Sequence, residues 1–240
     1  MALEQKAWSD IHSEDQSWRR QLVGEINEAF VVPRYVKLFY DTYGDAKGKS
    51  FVEVGAGNGD LSLAVLAKNQ GQIGRYVTSE YFQEGVDWLR KRGLNSVRAN
   101  AESLPFEDNE YDHVLEFDVM HHVDNPRNMA LSMMRVSRGK LLLVESNGLS
   151  VIRKLLEFTP ARRAAGERSY TPWTYRSFFQ GHPGYTLKSF TIYPFLFPFK
   201  VPHVLLPALV AFNKAIEKIP FFCWQCSSVV IVVEFEKQGR

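Results

Sequence analysis

The sequence has 240 residues and a mass of 27.6 kDa, with 45% hydrophobic and 23% charged residues. This composition excludes a disordered, collagen-like or coiled-coil chain and is typical of a globular protein of enzyme size. No apolar run reaches the roughly 18 residues of a membrane-spanning helix, and the N-terminus lacks an apolar signal core, so we expect a cytoplasmic protein.

The net charge of +2 conceals an uneven distribution along the chain. Residues 1–149 contain 17 basic and 22 acidic side chains, whereas residues 150–240 contain 12 and 5 and carry 11 of the 17 phenylalanines. Such a basic, phenylalanine-rich end is expected either to bind an anionic, partly apolar partner or to be an ordinary core with solvated cations around it. Composition leaves both interpretations open.

The predicted elements begin with a helical stretch over 17–41 that is interrupted at Pro33. Short apolar strands then alternate with helices, which indicates βαβ units and a parallel sheet. The strands are predicted at 50–54, 75–80, 96–99, 111–117 and 140–145, and the helices at 61–68, 84–91 and 126–136.

The pattern changes after residue 149. A helix is predicted to begin at Thr171-Pro172, followed by a strand at 187–193, an apolar stretch with several prolines at 194–222, and a closing strand at 229–235. Cys223 and Cys226 form a C-x-x-C, but it precedes a strand rather than opening a helix, so two unreactive thiols are expected rather than a redox or zinc site.

The glycine-rich turn at 51–60 (FVEVGAGNGD) is the strongest local signal of chemistry. An apolar strand leads into G-x-G-x-G and a helix follows, so backbone N–H groups face the turn. A dinucleotide fingerprint would place glycine at position 60, where Asp60 stands instead. An aspartate there disfavours a pyrophosphate but tolerates a cationic amino group, which favours an amino-acid-bearing nucleoside over NAD.

Further motifs follow in a fixed order, and together they resemble the class I S-adenosylmethionine-dependent methyltransferases of the ubiquinone/menaquinone-biosynthesis-like small-molecule type. They are Glu53–Gly59, Glu80 at 25 residues after Gly55, Asn100–Phe106, Tyr111–Val123 and Leu142–Glu145. The resemblance implies an α/β fold: a Rossmann-like, seven-stranded, mostly parallel sheet with helices on both faces and the last strand antiparallel. It further implies a single methyltransferase domain over 1–240, made of N-terminal helices (1–49), a cofactor-binding core (50–147) and an acceptor-side region (148–240) that contains the helical insertion at 194–222.

The resemblance also implies S-adenosyl-L-methionine as cofactor, S-adenosyl-L-homocysteine as product, and no metal. Glu80 would hold both ribose hydroxyls, Tyr81 would stack on the adenine, and Asn100, where the family has aspartate, would accept from the adenine amino group. The whole cofactor-binding set predicted in this way is Glu53, Gly55, Ala56, Gly57, Asn58, Gly59, Glu80, Tyr81, Asn100, Ala101, Glu102, Glu116 and Phe117.

The catalytic candidates are His121 and Glu145. Glu145 ends the fifth strand, from which it would orient His121 as a general base. The neighbouring His122 is expected to be a buried packing residue.

The acceptor is expected to be a small molecule, lipophilic or anionic, held by the region after residue 150. Its expected contacts are Arg162, Arg163 and Arg168 for an acidic group, Phe195, Phe197 and Phe199 as apolar walls, and Trp173 and Tyr175 closing the pocket. For the insertion at 194–222 the alternatives are acceptor lining, packing on the sheet, a homodimer contact, or contact with a membrane surface. No nucleic-acid partner is expected, because the motifs of base methylation and a basic RNA-binding domain are missing.

Two alternative functions remain at this level. One is a catalytically silent protein that binds S-adenosylmethionine, which the Asn100 replacement leaves open. The other, less favoured, is a nucleic-acid or protein methyltransferase.

Overall fold

The computed structural model describes residues 30–158, 168–195 and 203–238, whose strands form one seven-stranded sheet in the order β3-β2-β1-β4-β5-β7-β6. The strands are β1 (Ser50–Val54), β2 (Arg75–Glu80), β3 (Ser96–Arg98), β4 (Tyr111–Phe117), β5 (Ser137–Ser146), β6 (Tyr185–Phe195) and β7 (Ser228–Lys237). β1 to β5 pair in parallel, and β7 runs antiparallel to both of its neighbours, β5 and β6. The predicted Rossmann-like sheet with an antiparallel last strand is therefore confirmed.

The helices follow the predicted alternation with the strands. They are α1 (Val32–Tyr43), α2 (Asp60–Asn69), α3 (Gln83–Lys91), α4 (Pro126–Val136), α5 (Val151–Glu157), α6 (Pro172–Phe178) and α7 (Leu206–Ile216), with short 3-10 turns at His203–Leu205 and Phe222–Gln225. α4 begins at a clear signal, since the Asn125 side chain accepts from the Asn128 N–H and Pro126 occupies the first turn.

The sheet has a hydrophobic core on each face because its strands are apolar at successive positions. On one face Val52, Val114 and Met133 are fully buried together with Tyr175 of α6. On the other face Phe39, Phe51 and Val65 pack with Leu209 of α7. Burial on both sides is what central parallel strands require, and it accounts for the continuous apolar runs in the sequence.

Pro33 lies in the first turn of α1, directly after the two π-helical residues Phe30 and Val31. The backbone is therefore irregular next to the predicted break. The remainder of the predicted N-terminal helix, residues 17–29, lies outside the described residues.

The strand order reverses at β1, which pairs with β2 on one side and with β4 on the other, so the carboxyl edge of the sheet carries a crevice at this point. The connection between β6 and β7 also meets the sheet at this edge. Phe195, the last residue of β6, and Ser146, the last residue of β5, both pair with Ser228 at the start of β7. The apolar insertion therefore joins the sheet on the same side as the glycine-rich turn.

Arg34 ties α1 to α7. Its guanidinium forms a half-buried ion pair with Glu217, just past the end of α7, and lies 4.7 Å from the ring centre of Phe195 and 5.3 Å from that of Phe30. A cation over an aromatic ring gains from the electron density of the ring face, and the stem of an arginine adds apolar contact. This one side chain links the N-terminal helix, the end of β6 and the insertion.

We expect Arg34→Ala to lower the free energy of unfolding by about 2–3 kcal/mol, because it leaves Glu217 half-buried without its cation and removes both ring contacts. Lys37→Ala is the matched control, since Lys37 pairs with Asp41 on the exposed side of the same helix and its loss should cost about 0.5 kcal/mol or less. Urea denaturation of the two variants measures the difference. Equal losses would contradict the assignment of Arg34 as the tie between α1 and α7.

Candidate active site

The glycine-rich turn after β1 forms an open cradle at the carboxyl edge. Gly55, Gly57 and Gly59 all have positive φ, of 67°, 57° and 81°, a region where side chains other than glycine are strained. A Cβ at Gly55 would lie 2.5 Å from Val119 Cγ2, and one at Gly59 would lie within 2.7 Å of Leu89 and Leu94. At Gly57 it would meet nothing within 4 Å. The middle glycine thus faces open space in which a ligand can approach the backbone.

Glu80 lies beside this cradle at the end of β2. Its Oε1 accepts a hydrogen bond from the Gly57 N–H at 2.5 Å, and its Oε2 accepts one from the N–H of the adjacent Tyr81 at 3.2 Å. Burial raises the pKa of this carboxyl, and the two backbone N–H groups partly offset the effect. Each oxygen keeps a further lone pair, so the carboxyl remains able to accept from a pair of hydroxyls.

An ion pair between Arg92 and Asp60 holds the end of the turn where α2 begins. Arg92 donates to Asp60 Oδ1 at 2.7 Å and also to the Asn58 carbonyl, while Asn58 Nδ2 donates to Asp60 Oδ2 at 2.5 Å. The charge of Asp60 is therefore paired with a guanidinium. This weakens the argument from Asp60 against a pyrophosphate, because the helix start is less negative than the sequence suggests.

Glu53 is buried beneath the turn. Its Oε2 accepts from the Ser62 hydroxyl at 2.5 Å and from the Tyr76 hydroxyl at 2.6 Å. Burial raises its pKa from 4.5 to about 7, although these two hydrogen bonds act in the opposite direction. Glu53 thus braces β1 against α2 and β2, and its contact with a cofactor stays a prediction.

The predicted adenine-side residues lie around the end of β3. The side chain of Asn100 accepts from the Glu102 N–H at 2.9 Å, and Glu102 in turn accepts from the Asn125 N–H at 3.0 Å. The Tyr81 ring is 41% exposed and Ala101 is buried. Asn100 therefore shapes the turn with its oxygen, and the partly exposed Tyr81 ring contacts Phe82 edge to face at a centroid distance of 5.1 Å.

A second polar cluster is centred on Glu145, at the end of β5. Its Oε1 accepts from the N–H groups of Val119, at 2.9 Å, and Met120, at 2.5 Å. Its Oε2 contacts His121 Nδ1 at 2.7 Å and accepts from the Tyr175 hydroxyl at 3.2 Å. The predicted pairing of Glu145 with His121 is present in the structure.

The pairing of His121 with Glu145 shifts the pKa values of both groups. Burial disfavours both ionised groups, yet the mutual attraction prevails: the pKa of His121 is raised, and that of Glu145 is lowered. Glu116 behaves in the opposite way, because burial and the nearby Glu145 raise its pKa well above the ordinary value. One oxygen of Glu116 accepts from the Val119 N–H at 3.0 Å, and the other is buried without a hydrogen-bond partner among the described residues.

The two histidines exchange their expected places. His121 is buried, with 3% of its surface exposed, whereas His122 is exposed. The expectation that His122 is the buried packing residue is therefore wrong. The cause is Glu145, whose buried carboxylate draws His121 inward as a charged partner and leaves its neighbour outside.

Tyr35 of α1 is a site residue that sequence reasoning missed. Its ring stacks on Phe117 at a centroid distance of 4.9 Å and on Phe195 at 5.5 Å. Burial raises its pKa well above the ordinary value, and the negative charges of Asp118, Glu116 and Glu145 act in the same direction. The sequence shows that α1 carries an aromatic residue at this position. It does not indicate which edge of the sheet that residue contacts.

The acceptor-side predictions meet mixed outcomes. Tyr175 is fully buried and donates to the Ser146 carbonyl at 2.8 Å, so it braces the Glu145 cluster rather than closing a pocket, and Trp173 is 69% exposed. Phe195 is buried against Tyr35 and Arg34, and Arg168 is exposed. Arg162, Arg163, Phe197 and Phe199 lie outside the described residues.

The thiols of Cys223 and Cys226 are free, and burial raises the pKa of Cys226 to about 12. A thiol with such a pKa carries almost no thiolate at neutral pH and is a poor nucleophile.

The fold and this glycine cradle define the chain as a Rossmann-like α/β protein with an open glycine-rich turn after β1. Residues 52–143 match the family model described as a methyltransferase domain, which confirms the resemblance seen in the motifs. More particularly, the chain is 33% identical over 128 residues to the ubiquinone/menaquinone biosynthesis C-methyltransferase of Erwinia tasmaniensis; the match covers 49% of this chain and 51% of that protein. The chain thus spans about half the length of the curated relatives it matches.

Solved structures agree on the fold. One is a chain in complex with the Haloferax volcanii Trm112 methyltransferase activator, with a TM-score of 0.62, 14% identity, and 95% of this chain and 98% of that chain covered. Another is the cyclase SpnF, with a TM-score of 0.55, 16% identity, and 86% and 81% covered. At such identities the likeness shows the architecture alone, and a cyclase among the neighbours illustrates that this fold carries more than one chemistry.

We expect Gly57→Ala and Gly59→Ala to fail in different ways. Both substitutions incur the strain of positive φ, about 1–2 kcal/mol, but at Gly59 a Cβ also overlaps Leu89 and Leu94, which adds about 1–3 kcal/mol. Thermal unfolding should therefore show the larger loss for Gly59→Ala. Gly57→Ala should remain folded but bind the ligand more weakly than the wild-type protein, because its new methyl group occupies the open cradle. Wild-type affinity in Gly57→Ala would show that the cradle is not the binding surface.

Glu53 should make the unliganded protein less stable at alkaline pH. Its folded pKa of about 7 exceeds its ordinary value of 4.5, so the stability it contributes is complete below that ordinary value and is lost as pH rises through 7. We expect a loss of up to about 3 kcal/mol between pH 4.5 and 8, measured as the free energy of unfolding in urea. Glu53→Gln should remove this part of the pH dependence, and Glu236→Gln on the surface should leave it. An unchanged slope in Glu53→Gln would contradict the assignment.

Proposed function

We propose that the protein binds S-adenosylmethionine in the glycine cradle and transfers its methyl group to a small-molecule acceptor. The observation that carries this proposal is the joint placement of Gly57, open to ligand, and Glu80, whose carboxyl lies against it. A vicinal pair of ribose hydroxyls is the ligand that such a carboxyl recognises best. The matches to C-methyltransferases support the same reaction class.

The residues present fit this cofactor. The cradle has the space that a Cβ at Gly57 would otherwise fill, Tyr81 offers an exposed ring for the adenine, and the buried unpartnered oxygen of Glu116 lies at the end of β4 near Phe117. When bound, the cofactor supplies an activated methyl group on a sulfonium sulfur. The chain's part is to align the acceptor and to remove a proton where the acceptor requires it.

His121 is the proposed proton acceptor. With Nδ1 held by Glu145, Nε2 is the ring nitrogen left to receive a proton. The raised pKa means that His121 is a stronger base once it is neutral, and that it becomes neutral only above the usual histidine range. Tyr35 and Phe117 form a stacked aromatic pair at the end of β4, and such a pair suits an acceptor with a flat, apolar body.

The alternative is a protein that binds the same nucleoside without turnover. It is favoured by the neutral Asn100 and by the burial of His121, whose imidazole is only 3% exposed. The two functions separate in a cofactor-release assay against a panel of quinol, phenolic and lipid-linked acceptors, since the silent protein binds S-adenosylhomocysteine but produces none.

We expect Glu80→Ala to weaken binding of S-adenosylhomocysteine by at least about 100-fold, because two charge-assisted hydrogen bonds are lost at roughly 1.5–3 kcal/mol each. Asn100→Ala removes one neutral bond and should cost about tenfold or less. Calorimetry measures the affinity of both variants and of the wild-type protein for S-adenosylhomocysteine, and separately for NAD. Binding of NAD alone by the wild-type protein, or equal losses in the two variants, would refute the cofactor assignment.

Glu145→Gln should lower the pKa of His121. Removing the carboxylate leaves burial as the main influence, and burial disfavours the imidazolium. Titration of His121 followed by NMR measures the shift, with the exposed Glu107→Gln as control. If His121 is the base, activity of the wild-type protein rises with pH through this raised pKa, and the rise moves to lower pH in Glu145→Gln. A pH profile indifferent to Glu145 would remove His121 from catalysis.

A further inference from the structure

The insertion after β6 exposes far more apolar surface than a helix on a globular protein normally does. Of α7 and its flanks, Val204 is 81% exposed, Phe221 is 88% exposed and Phe222 is 61% exposed. Leu205, Phe212 and Ile219 are also exposed. Large contiguous apolar patches on a protein surface mark contact with another apolar phase.

α7 touches the rest of the protein along a narrow stripe. Its buried residues are Leu209, Asn213 and Ile216, which recur at helical spacing and pack on the sheet beside α1. The remaining sides of the helix carry the exposed apolar residues. Packing on the sheet, one of the readings of the sequence, therefore accounts for one side of this helix and leaves the others uncovered.

The charges around this surface are positive. Lys214 and Lys218 are exposed among the apolar residues, whereas the acidic Glu217 is engaged by Arg34. A face with apolar side chains and exposed lysines complements a negatively charged lipid surface, which offers hydrocarbon and anionic headgroups together.

The surface continues along the carboxyl edge toward the Glu145 cluster. The Ser150 hydroxyl donates to the Gln225 carbonyl at 2.9 Å, and the Val151 N–H donates to Gln225 Oε1 at 3.0 Å, so the turn after α7 is fastened to the start of α5. α5 adds the exposed side chains of Val151, Leu155 and Phe158. It begins five residues after Ser146, where β5 ends beside Glu145.

We propose that this surface, called here the apolar rim (Val204, Leu205, Phe212, Ile219, Phe221 and Phe222 with Lys214 and Lys218, continued by α5), docks on an anionic lipid bilayer. Among the described helices none has the length and apolar character to cross a membrane, so the contact is interfacial. Docking turns the carboxyl edge of the sheet toward the lipid. Where the proposed methyl transfer holds, the acceptor is then a lipophilic molecule taken from the bilayer rather than from water.

Co-sedimentation of the full chain with vesicles tests this proposal. The probes are vesicles of phosphatidylcholine alone and vesicles of phosphatidylcholine with phosphatidylglycerol, each at low and at high salt. We expect binding to the anionic vesicles that weakens with salt. The partition coefficient of the F221S/F222S variant should fall by about tenfold or more. That of K214Q/K218Q should fall by about fivefold per lysine, and only on the anionic vesicles.

Matched controls distinguish the rim from exposed residues in general. W173S removes an exposed aromatic ring from α6, which packs on the opposite face of the sheet, and K91Q/K188Q removes two exposed lysines elsewhere; both should partition like the wild-type chain. Circular dichroism and thermal unfolding verify that each variant is folded. If F221S/F222S is unfolded, the K214Q/K218Q variant decides.

The proposal is overturned if the wild-type chain does not bind anionic vesicles, or if the rim variants bind as well as their controls. It is also overturned if light scattering finds a dimer that F221S/F222S converts to a monomer while vesicles remain unbound, since the rim would then cover a second copy. Calorimetry without vesicles tests the cofactor separately, so vesicle binding without nucleoside binding would sustain the docking surface and refute the methyl transfer.

Discussion

The buried carboxylate of Glu145 is the interaction on which the arrangement of the carboxyl edge depends. Five donors converge on it: two backbone N–H groups and the His121 imidazole from the loop after β4, the N–H of the adjacent Ser146, and the Tyr175 hydroxyl of α6. A buried charge is tolerated only when such partners are supplied, so the β4 loop is held in one conformation by the need to satisfy Glu145. The same constraint produces the left-handed backbone of Asp118, with φ of 57°, at the point where the chain turns toward this carboxylate.

The pKa values of two neighbouring carboxyl groups are thus shifted in opposite directions. His121 lowers the pKa of Glu145, whereas burial and the negative charge of Glu145 raise the pKa of Glu116. Environments that separate the pKa values of neighbouring acids are common where protons are exchanged with a ligand. In this chain the separation arises from the parallel strands β4 and β5, whose adjacent ends bring the two side chains together.

Most of the architecture followed from patterns of short range. The alternation of apolar strands with helices gave β1 to β5 nearly residue for residue, and the motif order gave the antiparallel seventh strand through the family resemblance. The pairing of His121 with Glu145 was also predictable, because adjacent parallel strands end at the same edge. What short-range patterns could not give are contacts set by tertiary packing. Tyr35 reaches the site because α1 packs under β1 and β4. His122 lies outside because the one buried carboxylate pairs with one imidazole, that of His121. The charge of Asp60 is paired with that of Arg92, which is distant in sequence.

The ion pair between Arg34 and Glu217 joins residues 183 positions apart, which has a consequence for biosynthesis. At a translation rate of about 5–20 residues per second, Arg34 precedes its partner by roughly 10–40 s. During that interval α1 has already been synthesised, yet neither the end of β6 nor α7 exists to cover the side of it that carries Arg34 and Tyr35. The nascent chain therefore presents an arginine and an aromatic ring on an incomplete sheet until residues 185–217 are synthesised. A chaperone that recognises basic, aromatic segments would meet its target in this window.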